Sequence, residues 1–315
     1  MFIHDYLGDS FIGQDNLRGK LNFYIESHRK TNIFKNLLIS SPRGVGKTEL
    51  MTQIAKNLLM PDGRQKNAFI INGATLKNVS GFVNNIVIPL VSNNQYVTIA
   101  IDEIHAVEES VIAWLLTILG HTNNFITQNS YDGVDYFFDY RYFSFLAATT
   151  NIEKLPLAFS SRLKRIEFES YKEKELIIIL HKNSSSISYK DNVEKQIVSV
   201  TRGLPRYVVD IAKDIEKFCD LKENEVFDKN DWLEFKKIHH VRPLGITNKE
   251  YELLKFLAEH GEKTLTCLAA RLGLDTTTVR RDIESYLISH SLIEIMIKRY
   301  ITGYGLNILR ECENF

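Results

Sequence analysis

Cysteine is scarce in this chain of 315 residues: Cys219, Cys267 and Cys312 are the only three, an odd number set far apart. Such a set argues against a disulfide framework or a cysteine-rich metal site, and it fits a reducing compartment. An excess of one charge is missing too. The 39 basic and 39 acidic side chains cancel. No global field therefore draws the molecule toward nucleic acid, and any such affinity must come from local patches or from multiplicity in an assembly. No apolar run approaches the ~18 residues of a membrane span. The start carries Asp5 and Asp9 where a secretory signal would have a basic segment and a long apolar core. Internal repeats and low-complexity tracts are also absent. With 44% hydrophobic residues, the chain is long enough for two or three domains with their own cores. A cytoplasmic protein with no membrane partner is expected.

The most informative stretch runs from Asn36 to Thr48. An apolar strand, Leu37-Leu38-Ile39, leads into Ser41-Pro42-Arg43-Gly44-Val45-Gly46-Lys47-Thr48 and then a helical pattern. In the G-x-x-x-x-G-K-[ST] pattern, backbone N–H groups turn toward phosphate, the Lys reaches the β/γ-phosphates and the hydroxyl serves Mg²⁺. Pro42, Arg43, Gly44, Val45, Gly46, Lys47, Thr48 and Glu49 are thus predicted to surround a nucleoside triphosphate. Ser41 stands where the pattern has Gly, so the opening turn must accept a Cβ.

A phosphate loop is half of a phosphoryl-transfer site, because the metal needs a carboxylate and the water a positioning group. The strand-like Tyr96 to Ile101 ends in Asp102-Glu103-Ile104-His105, which a parallel sheet would place at its carboxyl edge. Alone, the acidic pair would serve equally as the cap of a helix from Glu108 to Leu119. Beside Lys47 and Thr48 it reads as a metal ligand, Asp102, and a water-polarising base, Glu103. His105 reads as a local hydrogen-bonding residue. A third strand, Tyr142 to Ala148, ends in Thr149-Thr150-Asn151, small polar groups suited to sensing the γ-phosphate. Downstream lie Arg162, after a short helical segment, and the Thr201-Arg202-Gly203-Leu204-Pro205-Arg206 motif, where Pro205 suits a first helical turn.

This ordered set resembles the AAA+ ATPases, and more narrowly the RuvB family of Holliday-junction branch-migration motors. The likeness runs over nearly the whole chain, from Phe11-Ile12-Gly13-Gln14 to Tyr286-Leu287-Ile288. It implies an α/β AAA+ P-loop domain over residues 1–170, a helical lid over 171–239 and a winged helix-turn-helix over 240–315. It implies ATP and Mg²⁺ as cofactors, with Lys47 and Thr48 as Walker A residues, Asp102 and Glu103 as Walker B, and Thr48 and Asp102 on the metal. Thr150, with Asn151 beside it, becomes sensor 1 and Arg206 sensor 2. Ile12 and Gly13 lie toward the adenine. Arg162 looks like an arginine finger reaching the neighbouring subunit of a hexamer or other ring, with Arg165 in reserve. The chain departs from the family in having Asp5-Tyr6-Leu7-Gly8-Asp9 in place of an Arg-Pro, and Asn151 in place of an Arg. Residues 124–139 stand where the family has a hairpin that grips an adaptor protein, and Asp132-Gly133 suits a type I′ turn there. A simple extra pair of core strands is the other reading of that segment.

After residues 240–247 the pattern changes to helices at Asn248 to Glu259, Leu265 to Leu272 and Thr276 to Ser289, followed by a hairpin. That order describes a winged helix. In its third helix Val279, Ile283, Tyr286 and Leu287 should face the core, leaving Thr277, Arg280, Arg281 and Glu284 outward. Thr277, Arg280, Arg281 and the wing residues Lys298 and Arg299 are the candidate contacts to DNA, a four-way junction among the possible substrates. From residue 246 on there are nine Lys and Arg against ten Asp and Glu, so the domain is not basic. The expected activity is ATP-driven branch migration or translocation by a helicase-type motor. Two alternatives stand beside it: a loader that places a partner protein on DNA, and an ATP-gated DNA-binding switch. A DEAH-type helicase fits less well, since no second motor domain follows Asn151.

Overall fold

A computed structural model describes residues 4–91, 95–119 and 126–313. The chain divides into two compact units, Met1–Tyr171 and Lys172–Phe315. The first unit opens with α1 (Asp15–Thr31), on which the preceding residues lie as a strap. Arg18, Asn22, Glu26 and Arg29 recur three or four residues apart and so share one helix face. Each holds the strap. Arg18 donates to Asp5 and to the carbonyls of Gly8 and Phe11, and Asn22 Oδ1 accepts the Tyr6 amide at 3.0 Å. Glu26 accepts the Tyr6 hydroxyl, and the Arg29 guanidinium sits 4.3 Å from the Tyr6 ring centre.

In chain order follow β1 (Leu37–Ser40), α2 (Lys47–Asn57), β2 (Asn67–Asn72), α3 (Val79–Phe82), β3 (Val97–Asp102) and α4 (Glu109–Ile118). The strands β4 (Ile126–Tyr131), β5 (Val134–Asp139) and β6 (Phe143–Thr149), then α5 (Leu157–Ser160) and β7 (Lys164–Glu167), complete the unit. Five strands form a parallel sheet ordered β2-β3-β6-β1-β7. A parallel sheet needs cover on both faces, and its apolar runs point alternately to each. Leu38, Ile99, Ile101, Phe145 and Ala147 join Phe82, Trp114 and Leu115 in one core. Leu37, Ile39, Ala100, Leu146 and Ala148 join Leu21, Ile25, Leu50 and Ile54 in the other. β2 is an edge strand with Phe69 and Ile70 exposed.

Register sets what meets at the carboxyl edge. Ser40 pairs with Thr149 and Asn72 with Asp102, so the ends of β1, β6, β3 and β2 lie level. β4 and β5 form a separate antiparallel hairpin, closed by Asp132 and Gly133 with φ of 51° and 74°. Positive φ at both positions is the type I′ geometry. Residues 124 and 125 of the expected hairpin lie outside the described residues.

The second unit starts with α6 (Glu173–Asn183), β8 (Ser188–Tyr189), α7 (Val193–Ser199), α8 (Pro205–Leu221), β9 (Val226–Phe227) and α9 (Lys229–His239). Pro205 sits in the first turn of α8, where its missing N–H removes no helical bond. Thr247 then caps α10 (Asn248–His260), forming a capping box with Glu250. α11 (Leu265–Leu272) follows, and α12 (Thr276–Thr278) runs through a wide π-type turn at Val279–Glu284 into α13 (Ser285–Ser289). The hairpin β10 (Ile293–Ile295) and β11 (Arg299–Ile301) precedes α14 (Gly303–Glu313). Leu254, Leu257, Leu268, Val279, Leu287 and Leu292 share one core, which makes this part a winged helix. Among the described residues no helix is long and apolar enough to cross a membrane.

Candidate functional site

The loop after β1 takes its shape from two glycines. Gly44 and Gly46 have φ of 84° and 103°, a region costly for residues with a Cβ. Gly46 caps α2, and Leu50 N donates to its carbonyl at 2.9 Å. The N–H groups of the first helical turn are thereby left for an anion. Ser41 is not among the positive-φ residues, so its Cβ is accommodated, and its buried hydroxyl has no hydrogen-bond partner. Lys47 is buried, and its Nζ donates to the carbonyls of Ser41 at 2.9 Å and Pro42 at 2.8 Å. Burial lowers its pKa, against the opposing pull of Glu103 and Asp102. Pro42 and Arg43 are exposed, and the Val45 carbonyl accepts the Tyr171 hydroxyl at 3.1 Å. Glu49 accepts from Gln53 at 2.6 Å.

Across the edge, Thr48 Oγ1 donates to Asp102 Oδ2 at 2.5 Å. A hydroxyl and a carboxylate side by side suit a hard cation that keeps most of its waters and phosphate ligands, as Mg²⁺ does. Consistent with that sparse donor set, no group of three or more His, Cys, Asp or Glu side chains suited to a metal occurs among the described residues. Glu103 is held from several sides. Thr150 Oγ1 donates to its Oε2 at 3.0 Å, and His105 Nδ1 lies 3.2 Å from the same oxygen. His105 Nδ1 is also 3.0 Å from Thr149 Oγ1, which accepts the Asn151 amide at 3.0 Å. The Glu103 backbone has φ of 51°, and a Cβ on Gly73 would come within 2.5 Å of its carbonyl oxygen. Gly73 therefore allows the end of β2 to pass close beneath the acidic pair.

The first unit thus gathers Lys47, Thr48, Asp102, Glu103, Thr150 and Asn151. His105, Thr149, Gly73 and Tyr171 also belong there. His105 and Thr149 stand out in the sequence as a local hydrogen-bonding residue and a polar strand end, whereas Gly73 and Tyr171 were missed, Gly73 despite its position directly after a strand. Ile12 and Gly13 are half-buried, with φ of 68° at Gly13. The following Gln14 side chain exchanges two 2.8 Å hydrogen bonds with the Glu169 backbone. Arg162 is half-buried and donates to the Leu116 carbonyl of α4, whereas Arg165 is exposed and pairs with Glu167 at 2.5 Å. Arg206 belongs to the second unit, exposed in the first turn of α8.

Two expectations for the winged helix are corrected. Glu284, placed outward by helical spacing, is fully buried, and Arg299 is buried with it. The pair is joined by Nε–Oε1 at 2.7 Å and Nη2–Oε2 at 3.3 Å. A guanidinium held by a buried carboxylate is not available to a DNA backbone. The other candidates are surface groups. Thr277 and Arg280 are exposed, Arg281 pairs with Asp282 at 2.7 Å, and Lys298 pairs with Glu262 at 3.0 Å.

These features agree with comparisons to known proteins. Residues 37–173 match the ATPase family associated with various cellular activities (AAA), and residues 243–310 match the RuvB C-terminal winged helix domain. The chain is 27% identical over 303 residues to the Holliday junction branch migration complex subunit RuvB of Campylobacter lari, covering 94% of this chain and 87% of that one. It is 28% identical over 322 residues to the RuvB subunit of Ureaplasma urealyticum, covering 98% and 96%. The fold is similar to that of the Thermotoga maritima RuvB Holliday junction branch migration motor, with a TM-score of 0.77 at 23% identity over 98% of this chain and 99% of that one. The chain is therefore a RuvB-like protein, an ATP-binding AAA ATPase domain followed by a RuvB-type C-terminal winged helix.

Proposed function

We propose that this chain is the ATP-hydrolysing subunit of a ring that moves on branched DNA. The observation that carries this reading is the Thr48–Asp102 hydrogen bond beside a Glu103 already oriented by Thr150. On phosphate binding, Lys47 would exchange its two loop carbonyls for β/γ-phosphate oxygens, and Thr48 and Asp102 are the residues that would hold Mg²⁺. When bound there, the ion would neutralise charge that builds on the phosphates. Glu103 accepts a proton from the attacking water, and Thr150 with Asn151 registers the γ-phosphate. Arg206, on the lid proposed over 171–239, contacts phosphate, while Arg162 of a neighbouring subunit completes the site. The winged helix proposed over 240–315 contacts DNA through Thr277, Arg280, Arg281 and Lys298, and the β4–β5 hairpin receives an adaptor protein.

A second reading, an AAA+ loader or ATP-gated switch with modest DNA affinity, draws on the ion pairs that occupy Arg281, Lys298 and Arg299. Hydrolysis rates with duplex, single-stranded and four-way-junction DNA separate the two. Stimulation greatest on the junction supports the motor, and a slow rate indifferent to all three DNAs supports the switch.

A further inference from the structure

Arg202 has no role in the chemistry described above, yet its guanidinium is largely buried between two partners, with its buried Nε left without a hydrogen bond. Its backbone is left-handed at φ 58°, and its guanidinium forms an ion pair with Glu250 of α10. Both groups are largely buried, with 13% of the Arg202 side chain and 1% of the Glu250 side chain exposed. The same guanidinium lies 3.4 Å from the centre of the Tyr286 ring on α13, a stacking that suits a planar cation. The Tyr286 hydroxyl donates to the Leu244 carbonyl. Gly245, at φ 67°, passes so close to Val200 that a Cβ would overlap the Val200 carbonyl.

Glu250 divides its two oxygens. Oε1 holds Arg202, and Oε2 accepts the Thr247 amide at 2.8 Å in the cap of α10. The start of the winged helix and the loop before α8 are therefore built around one carboxylate. That loop is short and stiff. Thr201 is buried, Leu204 N donates to the Thr201 carbonyl at 3.0 Å, and Pro205 opens the helix that carries Arg206.

We infer that Arg202 is a positioning residue, which joins the winged helix to the loop presenting Arg206, so that DNA held by the one and nucleotide sensed by the other act on a single rigid body. The inference rests on the proposed motor reading, in which Arg206 contacts nucleotide and the winged helix contacts DNA. Linkage makes the effect reciprocal: nucleotide shifts DNA affinity by the factor by which DNA shifts nucleotide affinity, commonly about 5- to 150-fold.

The test uses the full chain and measures duplex DNA affinity with Mg²⁺-ADP and with a non-hydrolysable ATP analogue. Amide hydrogen exchange over residues 201–206 and the Tm are followed in parallel. The double variant Arg202→Met with Glu250→Gln removes both buried charges together and keeps an amide able to complete the cap of α10. The expected result is an unchanged Tm, retained nucleotide binding, faster exchange over 201–206, and a ratio of the two DNA affinities that falls to about one. Should the double variant fail to fold, Glu250→Gln alone is judged by the same readouts, with a partial fall in the ratio. A variant whose affinity ratio matches a coupled wild type overturns the role of Arg202 and leaves the motor standing. A wild type that binds both ligands with no coupling overturns the motor reading and this inference together.

Discussion

Lys47 spends its ammonium on two carbonyls of its own loop, an arrangement that phosphate oxygens would displace. Lys47→Ala is therefore expected to abolish nucleotide binding, measured by equilibrium titration with labelled ATP. Glu103→Gln keeps the size and the Thr150 hydrogen bond but removes the base, so it should bind ATP and hydrolyse it slower by about 10²–10⁴-fold. Turnover at the wild-type rate would remove the proposed role of Glu103. His28 illustrates a different residue-scale effect. It is fully buried, neither ring nitrogen has a hydrogen-bond partner, and burial, aided by the positive charges of Lys66 and Arg29, pushes its pKa from 6.5 down to about 4. Between those values the unfolded chain binds the extra proton and the folded chain does not, so stability rises with pH across that window and is lost on acidification through it. The full effect is about 3 kcal/mol. His28→Phe should flatten this dependence in denaturant unfolding measured from pH 4 to 7, and an unaltered slope would assign the acid sensitivity elsewhere.

Among the elements, the β4–β5 hairpin separates turn chemistry from surface chemistry. Gly133 has open space around it but a φ of 74°, so Gly133→Ala should cost about 1–2 kcal/mol in backbone strain alone, seen as a lower unfolding midpoint. Phe137 is exposed, and Phe137→Asp should leave stability within about 0.5 kcal/mol while removing any adaptor bound to this hairpin. The Asp-Gly turn and the three helices of the wing were legible because each carries a local signal. The Glu284–Arg299 pair was not. Helical spacing assumes about 100° per residue, and the wide turn at Val279–Glu284 adds a residue to that turn, which carries Glu284 from the surface to the core. Arg299 follows it inward, fifteen residues later in the chain, where no local pattern announces the pairing. For the same reason the Walker residues could be read from sequence, whereas the Thr150 and His105 contacts to Glu103 depend on the register of β3 against β6.

For the whole molecule, assembly into a ring would depend on Arg162. Its guanidinium donates to the Leu116 carbonyl within its own subunit, so service to a neighbour requires that bond to open. Arg162→Ala should lower hydrolysis by roughly 10³-fold or more if it acts as a finger in trans. Mixed with Lys47→Ala subunits, which supply an intact Arg162, it should regain part of that rate. Activity that ignores the neighbour removes the main support for a ring. The edge strand β2 has a consequence of another kind. Its outer backbone lies at the border of the sheet, with Phe69 and Ile70 exposed, in a chain whose charges cancel. Exposed apolar edges are templates for strand addition, and nothing in the net charge repels a second copy. Concentrated stocks would therefore lose solubility first through this border, and storage on the alkaline side of neutral, where His28 costs no stability, would slow that loss.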